Sequence, residues 1–247
     1  MIRKVVKRMI LNMGYVVKNA TEQYAGMEGF DPLYQRCRPY TMTSKEEMFA
    51  LHKATEYLIR HDIPGAFVEC GVCKGGSAMG MALSLMQMGA TDRQLFLYDT
   101  YAGMSEPTSK DVNCHGAKAS GTWGRMRRKG FNAWMFVPLE TVKENLRSTG
   151  YPEARVTFVK GPVADTIPHT APERIALLRL DTDWYESTYH GLRHLFPLLS
   201  PGGVLIVDDY GHWKGAREAT DQYLAETGTP FLLNRIDCSV RLGVKIR

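Results

Sequence analysis

No apolar run in this chain approaches the roughly 20 residues that a membrane-crossing helix needs. Internal repeats and low-complexity tracts are also missing. Cysteine is scarce: Cys37, Cys70, Cys73, Cys114 and Cys238 are an odd number at scattered positions. A disulfide framework is therefore not expected, and a reducing cytoplasm is. The first residues, MIRKVVKRMILNMGYVVKN, faintly resemble a signal peptide, but Asn12 and Gly14 interrupt the apolar part and no small-residue cleavage site follows. They are read as mature protein. The G-x-G-x-x-G fingerprint is lacking too, which disfavours a dinucleotide pyrophosphate.

Surplus charge is nearly absent from the body of the chain. The net charge is +5, and residues 1–20 hold Arg3, Lys4, Lys7, Arg8 and Lys18 with no acid. With those five set aside, 26 Lys and Arg remain against 26 Asp and Glu. A neutral body argues against a protein-wide nucleic-acid surface. Val5, Val6, Met9, Ile10 and Met13 recur at helical spacing in the basic segment. Residues 1–45 are expected to be a basic helix and loop that serve docking or oligomerisation, in preference to contact with an anionic membrane. Hydrophobic content of 44% and charged content of 23% are ordinary for a globular protein.

What is present is an alternation of helical and strand patterns. Thr43 or Ser44, followed by Glu46 and Glu47, marks a helix start, and that helix is expected to reach about Arg60. Strands are expected at Ala66–Val72, Gln94–Asp99, Arg155–Lys160, Ile175–Leu180 and Val204–Val207. Helices are expected after Gly75-Gly76-Ser77, over Pro138–Thr149, through Tyr189–Leu199 up to Pro201-Gly202-Gly203, and through Gly215–Glu226. Residues 100–136 carry no sustained period and are rich in Gly, Lys and Arg, the mark of a lid. Phe231–Ile236 and Val240–Ile246 read as an edge hairpin. The sum is an α/β protein with a doubly wound, mostly parallel Rossmann-like sheet over residues 46–247 and an antiparallel C-terminal strand.

Two of these strands end in acids: Asp181 and Asp183 after the fourth, Asp208 and Asp209 after the fifth. Open α/β sheets place ligands beyond the carboxyl ends of their strands. A single Asp there is accounted for by a helix cap. Four that converge repel one another unless a cation sits among them, which favours a hard divalent metal held by oxygen. Asp181 and Asp183 lie two apart and share a side of an extended backbone. Asp208 and Asp209 are adjacent, so both reach one ion only if the strand has already turned. Tyr210-Gly211 favours such a turn.

The first strand leads into Glu69-Cys70-Gly71-Val72-Cys73-Lys74-Gly75-Gly76-Ser77. In this E-x-G-x-x-x-G-x-S form, the acid can face an amino group and the serine a carboxylate, both found on the methionine end of S-adenosylmethionine. Tight helix-on-strand packing would demand the same small residues. Cys70 and Cys73 have no second pair and are read as small apolar thiols. Asp99 is placed either to accept two ribose hydroxyls or to cap a turn. Gly161–Asp165 would line the adenine edge. Against an electrophilic methyl donor, Mg²⁺ on the carboxylates would lower the pKa of an acceptor hydroxyl, and one further acid could act as base. His212, with His115 and His190 as further candidates, is kept as a substrate contact.

With these residues assembled, the chain resembles the macrocin O-methyltransferase family, enzymes that methylate sugar hydroxyls on natural products. TMTS, ECGVCKGGS, LYDTYAGM, DTDWYEST and IVDDYGHWKGAREATD carry the likeness, over most of residues 38–225. The resemblance implies the class I methyltransferase fold, S-adenosyl-L-methionine, Mg²⁺, a glycosylated small-molecule substrate and a homo-oligomer. It assigns Asp181, Asp208 and Asp209 to the metal and Asp183 to the general base. Thr43, Glu69, Gly71, Ser77, Asp99, Gly161 and Asp181 fall to the cofactor. Cys73-Lys74 stands where the family has Trp-Arg, and Thr182 where it has glycine. A catechol-type methyltransferase and a non-catalytic cofactor-binding subunit are the competing readings.

Overall fold

A computed structural model describes residues 24–246. The expected basic helix of residues 1–20 lies outside them. The chain divides into two compact units between Pro32 and Leu33. A 3-10 turn at Glu28–Phe30 precedes the division, and helix α1 (Asp31–Cys37) crosses it.

Helix α2 (Lys45–Arg60) begins with a reciprocal cap: Ser44 Oγ accepts the Glu47 N–H at 3.2 Å, and Glu47 Oε2 accepts the Ser44 N–H at 2.6 Å. Its inner face is Met48, Leu51, Thr55 and Leu58, three and four apart. Strand β1 (Ala66–Cys70) is buried throughout. In helix α3 (Gly76–Gln87), which packs against α2, every residue from Gly76 to Leu85 is buried. Strand β2 (Leu95–Asp99) leads into the long insertion, which holds helix α4 (Ala119–Met126) and a hairpin of β3 (Arg127–Arg128) and β4 (Phe131–Asn132). Helix α5 (Leu139–Arg147), strand β5 (Val156–Lys160), the short α6 (Val163–Thr166), strand β6 (Ile175–Leu180) and helix α7 (Tyr185–Leu195) follow. Strand β7 (Leu199–Val207), helix α8 (Lys214–Thr227) and strands β8 (Asn234–Arg235) and β9 (Arg241–Val244) complete the chain.

The main sheet runs β5-β2-β1-β6-β7-β9-β8. Its first five strands are parallel, and β9 lies antiparallel between β7 and β8. This is the doubly wound, mostly parallel sheet read from the sequence. Chain order reverses between β1 and β6, and that is the crevice in which such sheets hold their ligands. Val68, Leu178, Leu180, Leu192, Leu195, Phe196, Leu205 and Val207 form the core beneath it.

The main departure from expectation lies at the start of β7. Pro201-Gly202-Gly203 does not stop a helix; it lies inside β7. The preceding helix begins earlier, at Tyr185, ends at Leu195, and passes through a 3-10 turn at Phe196–Leu198. Pairing of β6 with β7 jumps from Ile175↔Leu199 to Leu177↔Val204, so residues 200–203 form an irregularity. An exposed proline with no N–H, and Gly202 at φ 79°, are tolerated at such a place. Among the described residues, no helix is long and apolar enough to cross a membrane.

Candidate active site

The three central strands leave the sheet level with one another. Cys70 pairs with Leu180, and Leu180 with Val207. The ladder continues one residue further: the Asp181 N–H donates to Cys70 O at 2.8 Å, and the Asp208 N–H to Leu180 O at 2.9 Å. Asp181 and Asp208 therefore stand side by side. The chain then turns, because the N–H groups of His212 and Trp213 both donate to Asp209 O, at 3.0 and 2.9 Å. That turn brings the third acid round. Asp181, Asp208 and Asp209 each offer a carboxylate oxygen within 4.8 Å of the others. Asp181 and Asp208 keep 29% and 18% of their side-chain surface open, enough for a ligand to reach them.

Asp183 follows in the left-handed region at φ 61°. Its N–H donates to Asp209 Oδ2 at 3.2 Å, and its Oδ1 accepts the Trp213 indole N–H at 2.7 Å. Burial, then the neighbouring Asp181 charge, pushes its carboxyl up to about 8, against the pull of the indole. Burial together with the crowd of acids also raises Asp208 and Asp209 well above the usual carboxylate range.

Among the described residues, a buried cation answers these acids. Arg179, only 2% exposed, donates from Nη1 to Glu69 Oε1 at 2.7 Å and to Asp181 Oδ2 at 2.8 Å, and from Nη2 to Asp208 Oδ1 at 2.5 Å. Glu69, Asp181 and Asp208 thus share one guanidinium, with Asp183 and Asp209 close beside them, so acids outnumber the cation. Three oxygen donors within reach of one another in that field fit a hard divalent cation.

On the far side of Asp181, Gly71 has φ 88°, and a Cβ there would fall 1.7 Å from Asp181 O. Only glycine allows the loop to pass so close to β6. Both oxygens of Asp99 are engaged by backbone: Oδ2 accepts the Val72 and Cys73 N–H groups at 2.8 and 3.0 Å, and Oδ1 the Tyr101 N–H at 2.7 Å. Asp99 therefore ties the glycine loop to the end of β2 while it also lines the cavity. Helix α3 starts at Gly75 with no side-chain cap, and its first residues Gly76 and Ser77 line the same cavity. Free N–H groups there suit the carboxylate of an amino-acid-like ligand.

The cavity has a volume of about 1080 Å³ and includes Thr43, Gly71, Ser77, Asp99, Gly161, Asp181, Asp183, Asp208 and Asp209 in its wall. Pockets for drug-sized ligands span roughly 300–1,000 Å³, so this cavity stands at the upper end of that range. Glu69 is not among the lining residues. It is fully buried, with Ser77 and Arg179 between it and the cavity, so the expected direct meeting with a ligand amino group is not what the geometry provides. Burial pushes its carboxyl up to about 7 in spite of Arg179. Ser77 correspondingly donates its hydroxyl to Glu69 Oε1. His190 and His212 line the cavity and His115 does not. Cys70 is buried, and Cys73 is half-buried with its thiol pushed up to about 11 by burial, so neither is a reactive thiolate.

Residues 100–136 form part of the wall through Thr100, Gly103 to Glu106, Thr108 and Ala133 to Phe136. Trp134, Trp184 and Trp213 stack edge to face or tilted, with centroids 4.9 to 6.3 Å apart, and the Trp184 N–H donates to Ser105 O at 3.0 Å. Buried Asp111 accepts the Tyr185 N–H with Oδ1 at 2.8 Å and the Thr108 N–H with Oδ2 at 2.6 Å. The insertion is thus an ordered wall, pinned to the start of α7.

A family profile described as macrocin-O-methyltransferase (TylF) matches residues 11–242. The chain belongs to the macrocin O-methyltransferase family. It is 34% identical over 239 residues to 8-demethyl-8-(2,3-dimethoxy-alpha-L-rhamnosyl)-tetracenomycin-C 4'-O-methyltransferase of Streptomyces olivaceus, covering 94% of this chain and 87% of that one. It is 32% identical over 200 residues to mycinamicin III 3''-O-methyltransferase of Micromonospora griseorubida, covering 80% and 75%. The solved structure of the O-methyltransferase NovP matches with TM-score 0.74 at 29% identity, over 84% of this chain and 83% of that one.

As a macrocin O-methyltransferase family member, the chain is an O-methyltransferase with the class I methyltransferase fold. Two residues of its site escaped the sequence reading. Arg179 had one signal, a lone charge in an apolar strand two places before Asp181. Trp213, the partner of Asp183, had none beyond its nearness to Asp209.

Proposed function

We propose that this protein transfers the methyl group of S-adenosylmethionine to a sugar hydroxyl of a glycosylated natural product, with Mg²⁺ at the acid cluster and Asp183 as general base. The observation that carries this reading is the convergence of Asp181, Asp208 and Asp209 within 4.8 Å at the exits of β6 and β7, beside the glycine loop. The relatives' names, which specify a rhamnosyl tetracenomycin and mycinamicin III, support the choice of acceptor.

Asp181, Asp208 and Asp209 would hold the cation, while Gly71, the N-terminus of α3 and Asp99 would shape the donor's berth. When bound, the donor supplies an electrophilic methyl on a sulfonium, and the cation supplies Lewis acidity that lowers the pKa of a vicinal hydroxyl. The chain's own part is positional and acid–base. Asp183, with Oδ1 occupied by Trp213, takes the hydroxyl proton on Oδ2. The hydroxyl oxygen forms the new bond to the methyl carbon as the carbon–sulfur bond breaks and its electron pair stays on sulfur. The walls from Trp213 and the 100–136 insertion, Trp134 included, limit water at that point.

Mass spectrometry of a rhamnosylated acceptor incubated with protein, donor and Mg²⁺ tests the reading. One added CH₂ on the sugar is expected, and its loss with a chelator. Methylation of free catechols but no glycoside would overturn the acceptor assignment. Full turnover in chelator would remove the metal.

A further inference from the structure

Arg179 has no role in the reaction proposed above, yet it occupies the centre of the acid cluster. The inference that follows rests on that functional reading. A guanidinium among Ile175, Ala176, Leu177, Leu178 and Leu180, all buried, carries a desolvation cost of several kcal/mol unless its partners are well placed. Its partners are unequal in kind. Asp181 and Asp208 line the cavity; Glu69 stands behind the guanidinium on β1, fully buried, and its Oε2 meets no partner among the described residues. Asp209 stands outside this arrangement and accepts the Asp183 N–H instead.

We infer that Arg179 is a positioning residue for the divalent cation. Its planar fork, held from behind by Glu69, sets Asp181 and Asp208 at the separation at which they and Asp209 share one ion. Each of the two acids gives one oxygen to the guanidinium and keeps the other. Without the fork, two carboxylates at adjacent strand ends repel and rotate away from one another. Positive charge alone would not prevent that. A lysine carries the same charge on a single nitrogen and cannot span three carboxylates, so Arg179→Lys separates placement from neutralisation.

The test uses the full chain with Mn²⁺ as probe, free ion being counted by electron paramagnetic resonance and S-adenosylhomocysteine binding by calorimetry. The unaltered protein is expected to bind one Mn²⁺ per chain. In Arg179→Lys the Mn²⁺ affinity is expected to fall by roughly tenfold or more, the range for residues that orient metal ligands, while S-adenosylhomocysteine affinity stays within about twofold. Glu69→Gln keeps an oxygen acceptor for Nη1 but removes the anchoring charge. It is expected to weaken Mn²⁺ by about threefold or more with the same indifference to S-adenosylhomocysteine, and it carries the test should the lysine variant not fold. A folded variant that binds Mn²⁺ as tightly as the unaltered protein, or one that loses both ligands in parallel, would overturn the inference. Absence of Mn²⁺ binding in the unaltered protein would instead bring down the metal reading itself.

Discussion

Asp183 sits where three constraints meet: a left-handed backbone, a bond from its N–H to Asp209, and a bond from the Trp213 indole to its Oδ1. A side chain so restrained is poised rather than mobile. Asp183→Asn keeps the size and can keep the indole bond, but the amide takes no proton. Turnover is expected to fall by roughly 10²–10⁴, the usual worth of a positioned base, while S-adenosylhomocysteine affinity measured by calorimetry changes less than about twofold. Gly71 is the other residue with no freedom to change. Alanine there must hold φ 88° and place its Cβ 1.7 Å from Asp181 O. The conformation alone costs about 1–3 kcal/mol, and relief of the clash moves Asp181. Gly71→Ala is therefore expected to lower the urea midpoint and weaken Mn²⁺ binding together. Unaltered Mn²⁺ affinity in a folded variant would show that the loop does not support Asp181. Of this site, the acids and glycines were readable because their types and spacings are unusual. Arg179 and Trp213 were not, because their roles arise from neighbours 110 and 30 positions away in the chain.

At the scale of elements, strands and helices announced themselves wherever burial was uniform. All of β1 and β6 is apolar but for Glu69 and Arg179, and Thr43 or Ser44 ahead of Glu46 and Glu47 marks the start of α2, where the structure puts the cap on Ser44. The helix-stop reading of Pro201-Gly202-Gly203 failed because an irregularity in a strand uses the same residues as a turn. The insertion at 100–136 defeated periodicity for a different reason: its order comes from single attachments rather than a buried face. Asp111 is the chief of these, since it serves the start of α7 and Thr108 at once. Asp111→Ala removes a helix cap worth about 0.5–2 kcal/mol and frees the loop on the other side. Amide hydrogen exchange is expected to rise over residues 105–118 and at the start of α7, with the sheet unchanged. Equal protection in both proteins would mean that the tryptophan contacts hold the insertion unaided.

For the molecule as a whole, function and stability draw on the same charges. Folding gathers Asp181, Asp183, Asp208 and Asp209 at the strand ends, with Glu69 behind Arg179, and their repulsion opposes the folded state; in the unfolded chain those acids are dispersed. A divalent cation bound only by the folded form reverses that penalty. With free ion at about 100 times its dissociation constant, the gain is about 2.7 kcal/mol. For a domain of this size each kcal/mol moves the thermal midpoint by about 2–4 °C, so Mg²⁺ at that level is expected to raise it by roughly 5–10 °C. The same addition should do little for Asp209→Asn. That variant lacks one of the three oxygen donors but keeps the Arg179 contacts with Asp181 and Asp208. Differential scanning fluorimetry with Mg²⁺, and with Na⁺ at matched ionic strength, separates site binding from general screening. A rise equal in both proteins, or equal for both salts, would mean that the acid cluster is held by the guanidinium alone and binds no dication.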